Sequence, residues 1–198
     1  MAIVDFTFAH DWTAEILPKR PMKLPRRWCF YPRYAEEVER GALEVMVHPA
    51  SGGPAPSAEP FLGTFALGFS DPLAPSGLWS CPHPQWLCAV SGGYAFLVNT
   101  LRPEDFTQVD FRPVLEVRAL GEQQLLLFTG HYAIAAWGAN GKAWETARLS
   151  SEGVQITSIE GQTLRGVGWD MMADRDVPFS VDLKTGEHTS GETYSDKA

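Results

Sequence analysis

Short runs of alternating apolar and polar residues cover the chain from Ala42 onward. Within Ala42–His48, every second residue from Leu43 to Val47 is a branched apolar residue, a pattern typical of a strand with one polar face. A helical period is nearly absent from this part of the chain, so we predict an all-β fold. The further runs predicted as strands are Phe61–Phe69, Gln85–Val90, Tyr94–Asn99, Val114–Leu120, Gln124–Thr129, Tyr132–Gly138, Ala143–Leu149, Val154–Ile159, Thr163–Trp169 and Pro178–Leu183.

Turn residues separate these runs. The pairs Asn140-Gly141 and Glu160-Gly161 supply the positive φ that tight hairpins require. The gaps between runs are too short for the crossover helices that connect parallel strands. We therefore expect the strands to form an antiparallel meander.

Part of the meander resembles the blades of β-propellers. Leu125–Trp144 ends in the short Gly-Xaa-Xaa-Trp segment of such a blade, and Gly153–Gly168 resembles the opening strands of a next one. Val177–Gly186 is similar to the segment of a blade in which the motif Asp-Leu-Xaa-Thr-Gly forms the final turn. The same stretch resembles a group of uncharacterised bacterial proteins, and this resemblance does not point to any particular activity. A closed ring needs ~4 four-stranded blades, more than the roughly eleven predicted strands allow, so we expect propeller-like hairpins in a sandwich or partly open barrel.

Residues 1–33 differ from this body because they combine aromatic residues with four prolines, and proline interrupts helices and central strands. We expect an irregular arm over 1–33 that packs its aromatic residues on a single all-β domain over 34–198. Tyr34–Arg40 is the best helical candidate, ended by Gly41. Residues 49–60 are rich in Pro, Gly and Ser and are expected to form a flexible loop.

The charge of −8 lies in residues 51–198, which hold nine Lys/Arg against seventeen Asp/Glu. An acidic body repels phosphate backbones, so no nucleic-acid partner is expected. Lys19–Arg27 carries five positive charges. It is interpreted as a solvated segment that neutralises the acidic body, with contact to an anion as the alternative.

The location of the protein is inferred from its apolar runs and cysteines. No run approaches the ~20 apolar residues of a bilayer span, and the N-terminus lacks the basic and apolar regions of a secretory signal. Three cysteines are an odd number, which favours reduced thiols. We expect a cytoplasmic protein with no membrane partner.

Two groups of residues are candidates for metal ligands. Cys81, His83 and Cys88 offer two thiolates and an imidazole, which zinc accepts, with Cys29 or His131 as the fourth ligand. The favoured alternative is a buried thiol pair.

The second group is the acidic loop of Asp170, Asp174 and Asp176, whose carboxylates could chelate a hard cation such as Ca²⁺. The favoured alternative is that Arg175 pairs with one aspartate while another accepts hydrogen bonds from turn amides. No cofactor is expected.

The sequence contains no complete catalytic signature. The acid/base candidates outside the metal groups are His10, Asp11 and Glu145, and no nucleophile elbow, His-Glu-x-x-His, Gly-x-Gly-x-x-Gly or Walker loop occurs. A non-enzymatic role is therefore favoured. A metal-assisted or acid/base hydrolase that uses the Asp170, Asp174 and Asp176 loop is the alternative.

Aromatic residues at strand ends predict a binding surface. Large rings beside acidic residues form hot spots for protein partners, whereas the alternative is ordinary core packing. We expect a non-catalytic module, of inhibitory, immunity or assembly type, that binds another and preferably basic protein. A purely structural subunit, docked through residues 1–33, is a third hypothesis. The residues predicted for the surface are Trp137, Trp144, Trp169, Tyr132, Asp170, Asp174 and Asp176.

Overall fold

The computed structural model describes residues 2–33, 40–50, 59–69 and 73–189, and every regular element in these ranges is a β-strand. The all-β prediction is therefore confirmed for the described chain. The strands are β1 (Ile3–Asp5), β2 (Thr13–Leu17), β3 (Arg27–Tyr31), β4 (Ala42–His48), β5 (Phe61–Ala66), β6 (Gly77–Ser80), β7 (Trp86–Ser91), β8 (Tyr94–Asn99), β9 (Phe106–Gln108), β10 (Glu116–Leu120), β11 (Leu125–Thr129), β12 (Ile134–Gly138), β13 (Gly141–Glu145), β14 (Glu152–Glu160), β15 (Thr163–Asp170), β16 (Arg175–Asp182) and β17 (His188–Thr189).

The chain divides into two compact units, unit 1 over Met1–Val114 and unit 2 over Leu115–Ala198. Unit 1 contains a five-stranded sheet in the order β1-β6-β7-β8-β9 and a four-stranded sheet in the order β2-β4-β5-β3. Its core draws on both sheets, because Val45, Phe61 and Phe65 of one belong to the same buried cluster as Leu87 and Phe96 of the other.

Unit 2 contains two four-stranded antiparallel sheets, in the orders β10-β11-β12-β13 and β14-β15-β16-β17. A buried cluster within unit 2 joins Leu127, Ile134 and Trp144 of the first sheet to Leu164 and Phe179 of the second. Each sheet of unit 2 is a meander in chain order. None of the described sheets is closed into a barrel.

Strand positions agree closely with the alternation in the sequence. Ala42–His48 and Tyr94–Asn99 are strands with the predicted bounds. Gly141 and Gly161 adopt φ of 105° and 58°, as their turns require. The strands that the sequence did not predict are β1, β2, β3, β6, β9 and β17; most of them are short or lie between prolines.

The prediction of a wholly antiparallel arrangement is wrong at two places. β1 pairs with β6 and β3 pairs with β5 in parallel. The gaps between consecutive runs are too short to connect two parallel strands. The parallel partners are instead distant in sequence, and the chain between them contains other strands. Gly77 in β6 permits the close approach of β1, since a Cβ there would overlap the Ile3 carbonyl oxygen.

The division into an arm over 1–33 and one domain over 34–198 stays a prediction. The structure adds that β1, β2 and β3 of this segment pair with strands of unit 1. The predicted helix Tyr34–Arg40 and the predicted loop 49–60 lie, apart from their end residues, outside the described residues. Where the chain is described, it forms no helix with the length and apolar character of a membrane span.

Candidate functional site: the outer face of the β14–β17 sheet

Trp169 lies on the face of the β14–β17 sheet that points away from the unit 2 core. Burial alternates along β15, where Leu164 and Gly168 are buried and Trp169 is half-buried. The register places Glu152 of β14 directly opposite Trp169 on one side and Asp176 of β16 on the other. Directly opposed residues share a face, with Cβ atoms ~4.5–5.5 Å apart. One indole is thus flanked by two carboxylates, and both flanking residues are exposed.

The turn after β15 is organised by Asp170, which is only 2% exposed. Its Oδ1 accepts hydrogen bonds from the backbone N–H of Met172 at 2.8 Å and of Ala173 at 3.1 Å. Asp174 closes the turn with a φ of 48°, in the left-handed region that aspartate tolerates. This geometry leaves Met171 and Met172 exposed by 55% and 73% beside the acidic row.

A chain of contacts connects this turn to Tyr132. The Met171 N–H donates to Ser151 Oγ at 3.1 Å, and the Arg148 guanidinium donates to the Ser151 carbonyl at 3.4 Å. The same guanidinium lies 4.9 Å from the centre of the Tyr132 ring, which is 53% exposed. We use the name Trp169 surface for Tyr132, Arg148, Glu152, Trp169, Met171, Met172, Asp174 and Asp176.

Trp137 and Trp144 do not present their rings on this surface. They are 6% and 8% exposed. Trp144 belongs to the unit 2 core, and its Nε1–H donates to the Leu183 carbonyl at 2.8 Å. Trp137 packs edge-on against Phe128, with ring centres 5.2 Å apart. Both rings are in the interior, as in the core-packing alternative.

Sequence reasoning missed four members of the Trp169 surface: Arg148, Glu152, Met171 and Met172. The predicted strand begins at Val154, whereas β14 begins at Glu152, which pairs with Trp169 before a register shift at Gly153. The available signal was the alternation of β14, which extends back to Glu152 once Gly153 is treated as a bulge residue with φ of 81°.

The zinc candidates are not arranged as a ligand set. Cys81 and Cys88 are buried free thiols, and burial raises the pKa of each above the usual thiol range. The Gln85 N–H donates a hydrogen bond to His83 Nδ1 at 3.2 Å. Within the ranges that the structure describes, no group of three His, Cys, Asp or Glu side chains is placed to hold a metal ion, and this includes the Asp170, Asp174 and Asp176 loop.

The acid/base candidates outside that loop are engaged locally. His10 packs beside the rings of Phe6 and Trp12, with ring centres 5.0 and 4.5 Å away, and its Nδ1 is 2.9 Å from the Phe8 carbonyl. Glu145 forms an ion pair with Lys142. Neither arrangement favours the hydrolase alternative.

The functional assignment of this site rests on its geometry. The sequence matches no protein-family model, and no curated protein is significantly similar to it.

Proposed function

We propose that the protein is a non-catalytic binding module, of inhibitory, immunity or assembly type, that binds a basic protein through the Trp169 surface. The observation that carries this proposal is the row of Glu152, Trp169 and Asp176 across three neighbouring strands. Exposed Met171 and Met172 continue the row with apolar area. Protein interfaces combine such aromatic and methionine contacts with a polar rim.

Charge supports a basic partner. Unit 2 holds seven Lys/Arg against twelve Asp/Glu. Arg118 and Arg165 are paired with glutamates of their own hairpins. In the described part of the chain, no Lys or Arg lies within 4.0 Å of the carboxylates of Glu152, Asp174 or Asp176. Net negative charge around an aromatic centre steers positively charged proteins toward it.

The proposal also covers the arrangement of the sheets, the source of the protein and its location in the cell. Two consecutive four-stranded meanders, β10–β13 and β14–β17, support propeller-like hairpins in a sandwich or partly open arrangement. The resemblance to uncharacterised bacterial proteins supports a bacterial source. The unpaired thiols support a cytoplasmic location.

Affinity capture from the native lysate tests the proposed function. The test variant is Met171→Ser/Met172→Ser, and the matched control is Met22→Ser/Leu24→Ser, which alters exposed apolar side chains of unit 1. We expect a protein captured by the wild type to be reduced at least tenfold, on the order of 1.4 kcal/mol, by the test variant alone. Rebinding of the purified partner must reproduce this difference. Equal capture of every protein by both variants contradicts the proposed surface.

A further inference from the structure

The chain itself contains an indole that holds a cation. In unit 1, the Arg20 guanidinium lies 4.8 Å from the centre of the Trp28 ring, and its Nε donates to Glu44 Oε1 at 2.8 Å. A flat cation thus lies over an aromatic ring while a carboxylate binds its N–H groups. Arginine suits this arrangement because guanidinium is planar and its N–H groups lie in the guanidinium plane, where they can reach a carboxylate beside the ring.

Arginine is also the usual cation on aromatic rings elsewhere in this protein. Arg33 lies over Phe106, Arg112 over Tyr94 and Arg148 over Tyr132, whereas lysine provides one contact of this kind among the described residues, on Trp137.

Trp169 has the carboxylates of such a site but lacks the cation. Glu152 and Asp176 face it from both neighbouring strands. Within the described chain, no Lys or Arg lies over the Trp169 ring. At Trp28, a single glutamate binds the guanidinium of Arg20. At Trp169, acceptors are available from both neighbouring strands.

We propose that Trp169, Glu152 and Asp176 form a receptor for an arginine side chain of the partner protein. The guanidinium stacks on the indole, and its N–H groups donate to the two carboxylates, which are charge-assisted hydrogen bonds. This inference rests on the proposed function and deepens it, because it names the partner group that the acidic row recognises.

Titration of the full chain with a small probe tests the receptor separately from any natural partner. The probe is the blocked tripeptide acetyl-Gly-Arg-Gly-amide, and its control replaces arginine with neutral, nearly isosteric citrulline. The readout is the set of indole Nε1–H signals in a ¹H–¹⁵N correlation spectrum of this seven-tryptophan chain. Loss of one signal in Trp169→Phe assigns Trp169.

We expect the arginine probe to shift the Trp169 signal with a Kd on the order of 1 mM. The Trp144 signal, whose donor is bound to Leu183, is expected to stay in place. Glu152→Gln/Asp176→Asn should weaken binding at least tenfold. Glu122→Gln/Glu187→Gln removes the same charge from other exposed positions of unit 2 and should leave the Kd within about twofold of wild type.

Equal shifts with arginine and citrulline, or equal weakening by the two double variants, overturn the receptor. So does the absence of a shift at Trp169. If capture from lysate still depends on Met171 and Met172 in any of these cases, the proposed function stands and only the arginine receptor is lost. If capture also fails to depend on them, both proposals are contradicted.

Discussion

At the scale of single residues, Glu44 shows how the basic N-terminal segment is used. Glu44 is 7% exposed, and its carboxylate accepts from Arg20 Nε at 2.8 Å and from Thr64 Oγ1 at 2.7 Å. Thr64 in turn accepts from Trp28 Nε1 at 2.8 Å, and the Arg20 guanidinium lies over the Trp28 ring. The four side chains close a ring of contacts in which the buried carboxylate is fully engaged. Part of the basic segment therefore neutralises acidic groups of its own unit.

Replacement of Glu44 tests this ring. We expect Glu44→Gln to lower the free energy of unfolding by about 1–3 kcal/mol, because the charge-assisted bonds to Arg20 and Thr64 are weakened in a buried site. Glu160→Gln is the control, since Glu160 pairs with Arg165 at the surface, where loss of an ion pair costs about 1 kcal/mol or less. Urea denaturation measures both. Equal destabilisation by the two variants would mean that burial adds nothing to the Glu44 contacts.

The buried thiols predict a loss of stability in alkali. Burial raises the pKa of Cys81 and Cys88 above the usual thiol range, whereas in the unfolded chain each ionises near pH 8.5. The folded state therefore binds more protons above that pH. This contribution to stability is complete below about pH 8.5 and is lost, at up to about 1.4 kcal/mol per pH unit for each thiol, as the pH rises toward the folded pKa.

Urea denaturation between pH 7.5 and 9.5 measures this slope, below the range in which an unfolded tyrosine ionises. The wild type should lose stability as the pH rises, and Cys81→Ala/Cys88→Ala should lose markedly less over the same interval. Only the slopes are compared, because the substitutions also change packing. Parallel slopes would show that the two thiols ionise equally well in the folded protein.

At the scale of elements, Pro178 lies in β16 at a position that no described residue of β17 pairs with. Among the described residues, β17 pairs with Ser180 and Val181 only, so β16 extends beyond the described part of its neighbour. The Asp182 N–H donates to the Glu187 carbonyl on the β17 side, and backbone direction alternates along a strand. Position 178 therefore faces the same outer edge, where proline offers no N–H. Edge strands commonly use proline in this way to prevent pairing with another chain.

Pro178→Thr should expose this edge. The variant restores an outward N–H in a strand with high β-propensity, so we expect concentration-dependent self-association, measured as a rise in mass by light scattering after size exclusion. Pro178→Lys also restores the N–H but adds an edge charge that discourages pairing, and it should keep the wild-type mass. A threonine variant that keeps the wild-type mass at all concentrations would show that this proline does not guard the edge.

Local alternation was sufficient to predict most strands, and it indicates which residues face outward only where burial alternates along the strand. β15 alternates between buried and half-buried or exposed residues, so the outward position of Trp169 follows from its parity. β11 is buried at every position, and β12, which pairs with it, is buried along most of its length. Trp137 in β12 therefore gave no signal of its orientation. The parallel pairs of β1 and β3 depend on distant partners, which local patterns do not encode.

At the scale of the whole molecule, each unit contains a buried apolar cluster of its own. Leu87 belongs to the buried cluster of unit 1 and Leu164 to that of unit 2, and both are 0% exposed. Leucine-to-alanine substitutions at such sites cost about 2–5 kcal/mol. Contiguous units with their own cores commonly open separately. Each substitution should therefore destabilise the unit that contains it.

Hydrogen exchange with peptide-level mass spectrometry measures this division. In Leu164→Ala, amides of β11, β12 and β15 should exchange faster, while those of β5, β7 and β8 keep the wild-type rate. Leu87→Ala should give the reverse pattern. Because the two variants remove the same atoms from equally buried sites, the comparison isolates the position of the defect. Faster exchange in both units for either variant would show that the chain unfolds as one cooperative body, and the boundary at Val114 would then have no energetic meaning.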